Sequence, residues 1–167
     1  MDEQVRAGNN KNGPAKGQRM FRYIALVWNV TNEQQSGAAE SLDGRLRAQR
    51  WTPTLLSPGL RVFSADADSG MLKALTLAND AGVILGTLFE RSRAIDDDAP
   101  SHRATPSARG AKAILASQGQ WLIQNCWGNY VAVLRDESAG VVRVLKDPSG
   151  PLPCFVTRTE DVTILFS

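Results

Sequence analysis

Histidine occurs once in this chain, at His102, and cysteine twice, at Cys126 and Cys154. A structural zinc site takes about four ligands, so His and Cys alone cannot build one without carboxylates. Two cysteines in apolar surroundings give no disulfide framework and no sign of an oxidising compartment. No apolar run approaches the ~20 residues that a membrane-spanning helix requires. The first 19 residues lack the apolar stretch of a secretory signal. These absences make a cytoplasmic protein with no membrane partner the expectation.

A basic surface is also missing. Of the 19 basic and 17 acidic residues, positions 1–19 hold four and two, leaving 15 of each sign in the remainder. Nucleic-acid binding needs clustered Lys and Arg that displace counterions, so a neutral body argues against such a partner. The segment 1–19, "MDEQVRAGNNKNGPAKGQR", is rich in Gly, Asn, Lys and Gln. It cannot bury enough apolar surface to offset its ordering entropy and reads as a disordered tail. Residues 20–167 then form one domain, and a 43% hydrophobic content gives it a core.

"FRYIALVWNV" (21–30) reads as a buried strand, and Leu42 and Leu46 place a short amphipathic helix over 41–50. "GLRVFSA" reads as a strand. "KALTL" and "VILGTLF" flank Asn79-Asp80-Ala81-Gly82, a hairpin signal with Gly82 where positive φ is tolerated. A helix over 71–80 competes with that reading. Residues 90–110 are polar with two prolines and read as a surface loop. A helical stretch over 107–128 is interrupted near Gly119. Four short strands follow, "YVAVLRD", "VVRVLKD", "PCFVT" and "VTILFS", and their short connections suggest an antiparallel meander. "YVAVL" is apolar throughout, so both of its faces should be covered. The whole reads as a layered α+β fold.

Motifs with chemical meaning fail one after another. "DADSG", from Asp66 and Asp68, begins like a calcium loop but has Met71 and Leu77 where Gly and Glu are required. Gly8 and Gly13 lack the lysine of a phosphate loop, because Pro14 stands there. Asp96, Asp97 and Asp98 read as a solvated charge run. A Cys154–His102 dyad has no support in the spacing. Trp28, Trp51, Trp121 and Trp127 read as core residues rather than a ligand platform. Asp147-Pro148-Ser149-Gly150 has type I turn chemistry, in a strand-to-strand position that would pair "VVRVLK" with "PCFVT" and place Val144 and Phe155 near the core. Ser149 is given no chemical duty there. No catalytic, cofactor-binding or metal-ligating residue is assigned.

"WGNYVAVLRDESAGVVRVLKDPSGPLPCFVT" resembles the closing part of the glutaminase domain of asparagine synthetases. Gly128, Tyr130 and Ala132 fall on its Gly-x-Phe-Ala-like strand, and Lys146, Asp147, Pro148, Gly150 and Pro153 on its Arg-Asp-Pro-x-Gly and Pro-Leu-Tyr-Tyr-like segments. "VILGTLFER" is similar to the family's Asn-Gly-Glu-Ile-Tyr-Asn segment, with Gly86 and Phe89 in register. The resemblance implies a four-layer αββα sandwich of antiparallel sheets, of the N-terminal-nucleophile (Ntn) hydrolase type, over residues 21–167. It also shows what is missing. The family's N-terminal cysteine, whose own amine is the base, has no counterpart in "MFRYIALVWN", where Phe21 falls on its position. The asparagine that holds the oxyanion falls on Leu85.

Such a degenerate pattern resembles β-lactam synthetases and lasso-peptide cyclases, which keep the domain without producing ammonia. They join an amine to a carboxylate adenylated in a separate ATP-binding domain. The resemblance therefore implies a scaffolding role beside a C-terminal or separate synthetase domain, with ATP and Mg bound only there and none in this chain. No Ser-Gly-Gly-x-Asp-Ser pyrophosphate loop occurs, so the chain is expected to be the N-terminal part of a longer synthetase. A freestanding binding protein with the same sandwich stays open, as does homo-oligomerisation. A hydrolase acting through Cys126 or Cys154 is the weakest alternative.

Overall fold

Among the described residues, nine strands rich in apolar side chains form two antiparallel sheets. A computed structural model describes residues 21–65, 73–91 and 103–167. In chain order the elements are β1 (Arg22–Val27), α1 (Glu33–Ala48), β2 (Thr52–Ser57), β3 (Leu60–Ala65), β4 (Lys73–Thr76), β5 (Gly82–Glu90), α2 (Ala108–Ala116), α3 (Gln120–Asn125), β6 (Cys126–Asp136), β7 (Val141–Lys146), β8 (Phe155–Thr159) and β9 (Val162–Phe166). One sheet has the order β2-β3-β1-β9-β8 and the other β4-β5-β6-β7. The class is mixed α+β with two antiparallel sheets. The tail and most of the 91–110 segment lie outside the described residues.

Three apolar clusters hold these elements. Tyr23 and Ala25 of β1, Val62 of β3 and Leu165 of β9 meet Leu85 of β5 and Val131 of β6 between the sheets. On the opposite face of the five-stranded sheet, Leu26, Phe63 and Val162 pack on Ala38, Ala39 and Leu46 of α1. On the opposite face of the four-stranded sheet, Ile84, Tyr130, Ala132 and Leu134 pack on Ile114 and Leu122 of α2 and α3. Every residue of Tyr130–Leu134 is therefore buried, as the unbroken apolar run requires. Each fully buried Val or Leu adds about 1.5–3 kcal/mol.

Local signals explain most boundaries. Helix α1 is longer than the Leu42–Leu46 spacing suggests. Its start is fixed by Asn32, whose Oδ1 accepts the Gln35 N–H at 3.1 Å, while Gln35 Oε1 accepts the Asn29 N–H at 2.8 Å. The helical stretch at 107–128 breaks at Gly119 (φ 93°), which separates α2 from α3. The β4–β5 hairpin is present, and among the described residues only a 3-10 turn at Ala78–Asp80 is helical there. Positive φ falls on Asn79 and Asp80 instead of Gly82. Gly82 is needed for close approach, because a Cβ there would stand 2.7 Å from the Val133 carbonyl.

The meander does not form. β6 pairs with β7 and β8 with β9, but β7 and β8 lie in different sheets. Pro148, Pro151 and Pro153 remove three N–H donors that a hairpin ladder would use. Instead the chain crosses from one sheet edge to the other, and Leu152 drops into the inter-sheet cluster on the way. Val144 and Phe155 are accordingly not near the core but 41% and 56% exposed. Strand β2 carries no clear sequence signal, because Pro53 within a run argues against a central strand. It is an edge strand whose register shifts between Pro53 and Leu55.

Candidate functional site

The crossover from β7 to β8 brings the start of β1, the middle of β6 and residues 147–154 together. Asp147 is 5% exposed and organises the region. Its Oδ2 accepts the buried Gly128 N–H at 2.9 Å, and its Oδ1 accepts the Ser149 N–H at 2.8 Å and the Ser149 hydroxyl at 2.5 Å. The Gly150 N–H donates to the Asp147 carbonyl at 3.2 Å, which closes a four-residue turn. Burial alone would raise the Asp147 carboxyl, but the bonds from Ser149 and Gly128, helped by Arg91, hold it below the usual carboxylate range. It is an anchored anion that accepts three hydrogen bonds.

The neighbouring glycines are needed for space. Gly128 has φ 141°, and a Cβ on it would lie 2.4 Å from the Thr87 carbonyl. A Cβ on Gly150 would lie 2.5 Å from the Gly128 carbonyl. Next to them, Asn129 Oδ1 accepts the Leu152 N–H, and Tyr23 donates its hydroxyl to the Pro153 carbonyl at 3.0 Å. Burial first, and then Cys154, push the Tyr23 hydroxyl far above its ordinary range, so it stays protonated. These contacts fasten the crossover to both sheets.

Phe21 and Leu85, on the positions that the resemblance gives to a nucleophile and an oxyanion donor, both belong to the inter-sheet cluster. They are 4% and 0% exposed. Neither side chain carries a nucleophile or a hydrogen-bond donor. Nearby, Phe89 and Trp127 stack with centroids 4.8 Å apart, and Trp127 is 39% exposed. Trp28 and Trp51 pack against the α1 side and Trp121 against the α2 side, so Trp127 is the tryptophan that departs from a core role.

The cysteines lie apart, Cys126 in the cluster under α2 and α3 and Cys154 against the inter-sheet cluster, and both are free thiols. Burial and Glu90, opposed by Arg91, push the Cys126 thiol up to about 11, so it is not a thiolate at neutral pH. His102, Asp66, Asp68 and Asp96–Asp98 lie outside the described residues. Among the described residues, no three His, Cys, Asp or Glu side chains are grouped as metal ligands would be. No described helix is long and apolar enough to cross a membrane.

A surface groove of about 430 Å³ at another place is lined by Trp28, Val30, Asp43, Arg47, Leu56 and Arg61, among others. Three of its charged side chains form one network. Asp43 takes Arg47 at 2.8 Å and Arg61 at 2.9 Å, and the Arg61 guanidinium lies over the Trp28 ring at 5.4 Å. This network secures α1 to β3. Sequence spacing does not reveal it, because Arg61 is 18 residues from Asp43.

No protein-family model, no curated protein and no solved structure matches this chain.

Proposed function

We propose that this chain is a catalytically degenerate, glutaminase-like domain of an asparagine-synthetase-like, ATP-dependent amide-forming enzyme, and that it acts as a scaffold without hydrolysing glutamine. The observation that carries the reading is the pair Phe21 and Leu85. Two positions that the resemblance assigns to catalysis, 64 residues apart in the sequence, meet in one apolar inter-sheet cluster. The placement of the helices favours the Ntn-type αββα arrangement. α1 covers one outer sheet face, α2 and α3 cover the other, and the two sheets pack face to face between them. The Lys146–Gly150 segment agrees with it, since the Asp147 carboxylate is held by the Gly128 and Ser149 N–H groups and Gly150 packs against the Gly128 carbonyl.

ATP and Mg belong in this reading to the synthetase partner, where an adenylated carboxylate would meet its amine. Two measurements test it. The purified chain should release no glutamate from glutamine above the no-enzyme baseline. Co-expression with the products of neighbouring genes should yield a complex that converts ATP to AMP in the presence of a carboxylate and an amine. Glutamine turnover that disappears on substitution of Cys126 or Cys154 would overturn the scaffold reading in favour of a hydrolase.

A further inference from the structure

The two edges of the five-stranded sheet are built differently. β2 carries Pro53 and a register shift, and its Thr54 carbonyl accepts the Thr76 hydroxyl at 3.2 Å. These devices discourage a further strand. β8, "FVTRT", has no proline and no bulge, and all five of its residues are exposed. Its Phe155 (56%) and Val156 (66%) are the most exposed large apolar residues described. β8 pairs with β9 on one side, and among the described residues no strand takes the other. An antiparallel strand divides its backbone N–H and C=O groups between two neighbours. The outer row of β8 therefore matches one kind of partner, another extended backbone.

We propose that this partner is a second copy of the chain, paired antiparallel through β8 about a two-fold axis at Thr157. This inference does not depend on the glutaminase-like reading. Self-pairing requires residues on the same sheet face to oppose each other, which restricts the axis to a residue position. With the axis at Thr157, all five residues pair: Phe155 with Thr159 of the second copy, Val156 with Arg158, and Thr157 with itself. With the axis at Val156 only three residues of the strand pair. An axis at Arg158 also leaves three pairs and sets the strand's only charge against its copy. The Thr157 register gives the longest overlap, avoids like charges and sets Phe155, already tilted on Phe166 at 5.6 Å, beside a Thr methyl. The contact is isologous, so it closes as a dimer and joins the two five-stranded sheets into one of ten.

Sedimentation velocity and light scattering on the full chain, over roughly 1–100 µM, measure the self-association directly. The expected mass at the upper end is twice 18.1 kDa. Val156→Lys should weaken the dimer at least about tenfold while leaving the circular dichroism spectrum unchanged. Thr157→Cys should cross-link to its own copy on mild oxidation, because directly opposed Cβ atoms lie about 4.5–5.5 Å apart. Thr159→Cys and the unaltered chain, treated in parallel, should not. A monomeric mass across the whole range would overturn the proposal. Equal cross-linking at positions 157 and 159 would do the same, and this readout stands even if Val156→Lys disturbs folding.

Discussion

Removing the Asp147 carboxylate tests whether the crossover is a stability element. In Asp147→Ala the buried Gly128 N–H loses its carboxylate acceptor, and the Ser149 N–H and hydroxyl lose theirs. The Ser149 groups are part-buried and can turn to water, so the Gly128 donor dominates. An unsatisfied buried donor costs about 1–3 kcal/mol, and a hydrogen bond to a charged group is worth about 1.5–3 kcal/mol. These ranges describe one loss from two sides and are not added. The expected destabilisation is about 2–3 kcal/mol. In a domain of this size, ~1 kcal/mol moves Tm by about 2–4 °C, so the melt should fall by about 4–12 °C. Asp147→Asn keeps one acceptor oxygen and should lose about half as much.

The pH dependence adds a sign. The folded carboxyl titrates below its unfolded value of roughly 3.9, so the unfolded chain holds more protons as the solution is acidified. The contribution is complete above the unfolded value and is lost as pH falls through the folded one. Urea unfolding at pH 7 and across the acid range should show the parent losing stability that Asp147→Ala never had. A change below 0.5 kcal/mol at pH 7, with an unaltered urea slope, would refute the anchoring role.

Four further outcomes are expected. Gly128→Ala should cost more than about 3 kcal/mol, since it combines positive φ with a carbonyl 2.4 Å from the new Cβ, whereas Gly140→Ala (φ 64°, open space) should cost about 1 kcal/mol, both read from urea midpoints. Ser149→Ala should cost about 1 kcal/mol through its bond to Asp147, and Pro148→Ala a similar amount through a freer unfolded chain. Cys126 should resist maleimide at pH 7.5 until the protein unfolds, because it is 1% exposed and its thiol is pushed up to about 11; rapid labelling of the native state would contradict that. Deleting residues 1–19 should leave Tm nearly unchanged, since their composition lacks apolar docking groups, and a fall of several degrees in a thermal melt would show otherwise.

What could be read in the sequence was set by local chemistry, and what could not was set by partner choice. The run Tyr130–Leu134 has no polar position, so any fold must cover both of its faces, and it does so from two layers. Gly119 ends a helix because its φ suits no other residue well, and Asn32 starts one through its own side chain. β7 and β8 have equally good strand signals, yet their adjacency misleads. Short connections usually join paired strands, and Asp147-Pro148-Ser149-Gly150 is a proper turn. The turn is read correctly while its destination is not, because the destination depends on a contact 19 residues away, between the Asp147 carboxylate and Gly128. Three prolines in seven residues are the sequence trace of that outcome, since they deny β7 a ladder on the returning chain. The same event exposes Val144 and Phe155 and makes both strands sheet edges. The crossover thus fastens one sheet to the other, fills the space between them with Leu152 and, among the described residues, leaves β8 with no strand on its outer side. The buried Asp147 carboxylate, by holding the Gly128 and Ser149 N–H groups, fixes the course of the chain from one sheet edge to the other.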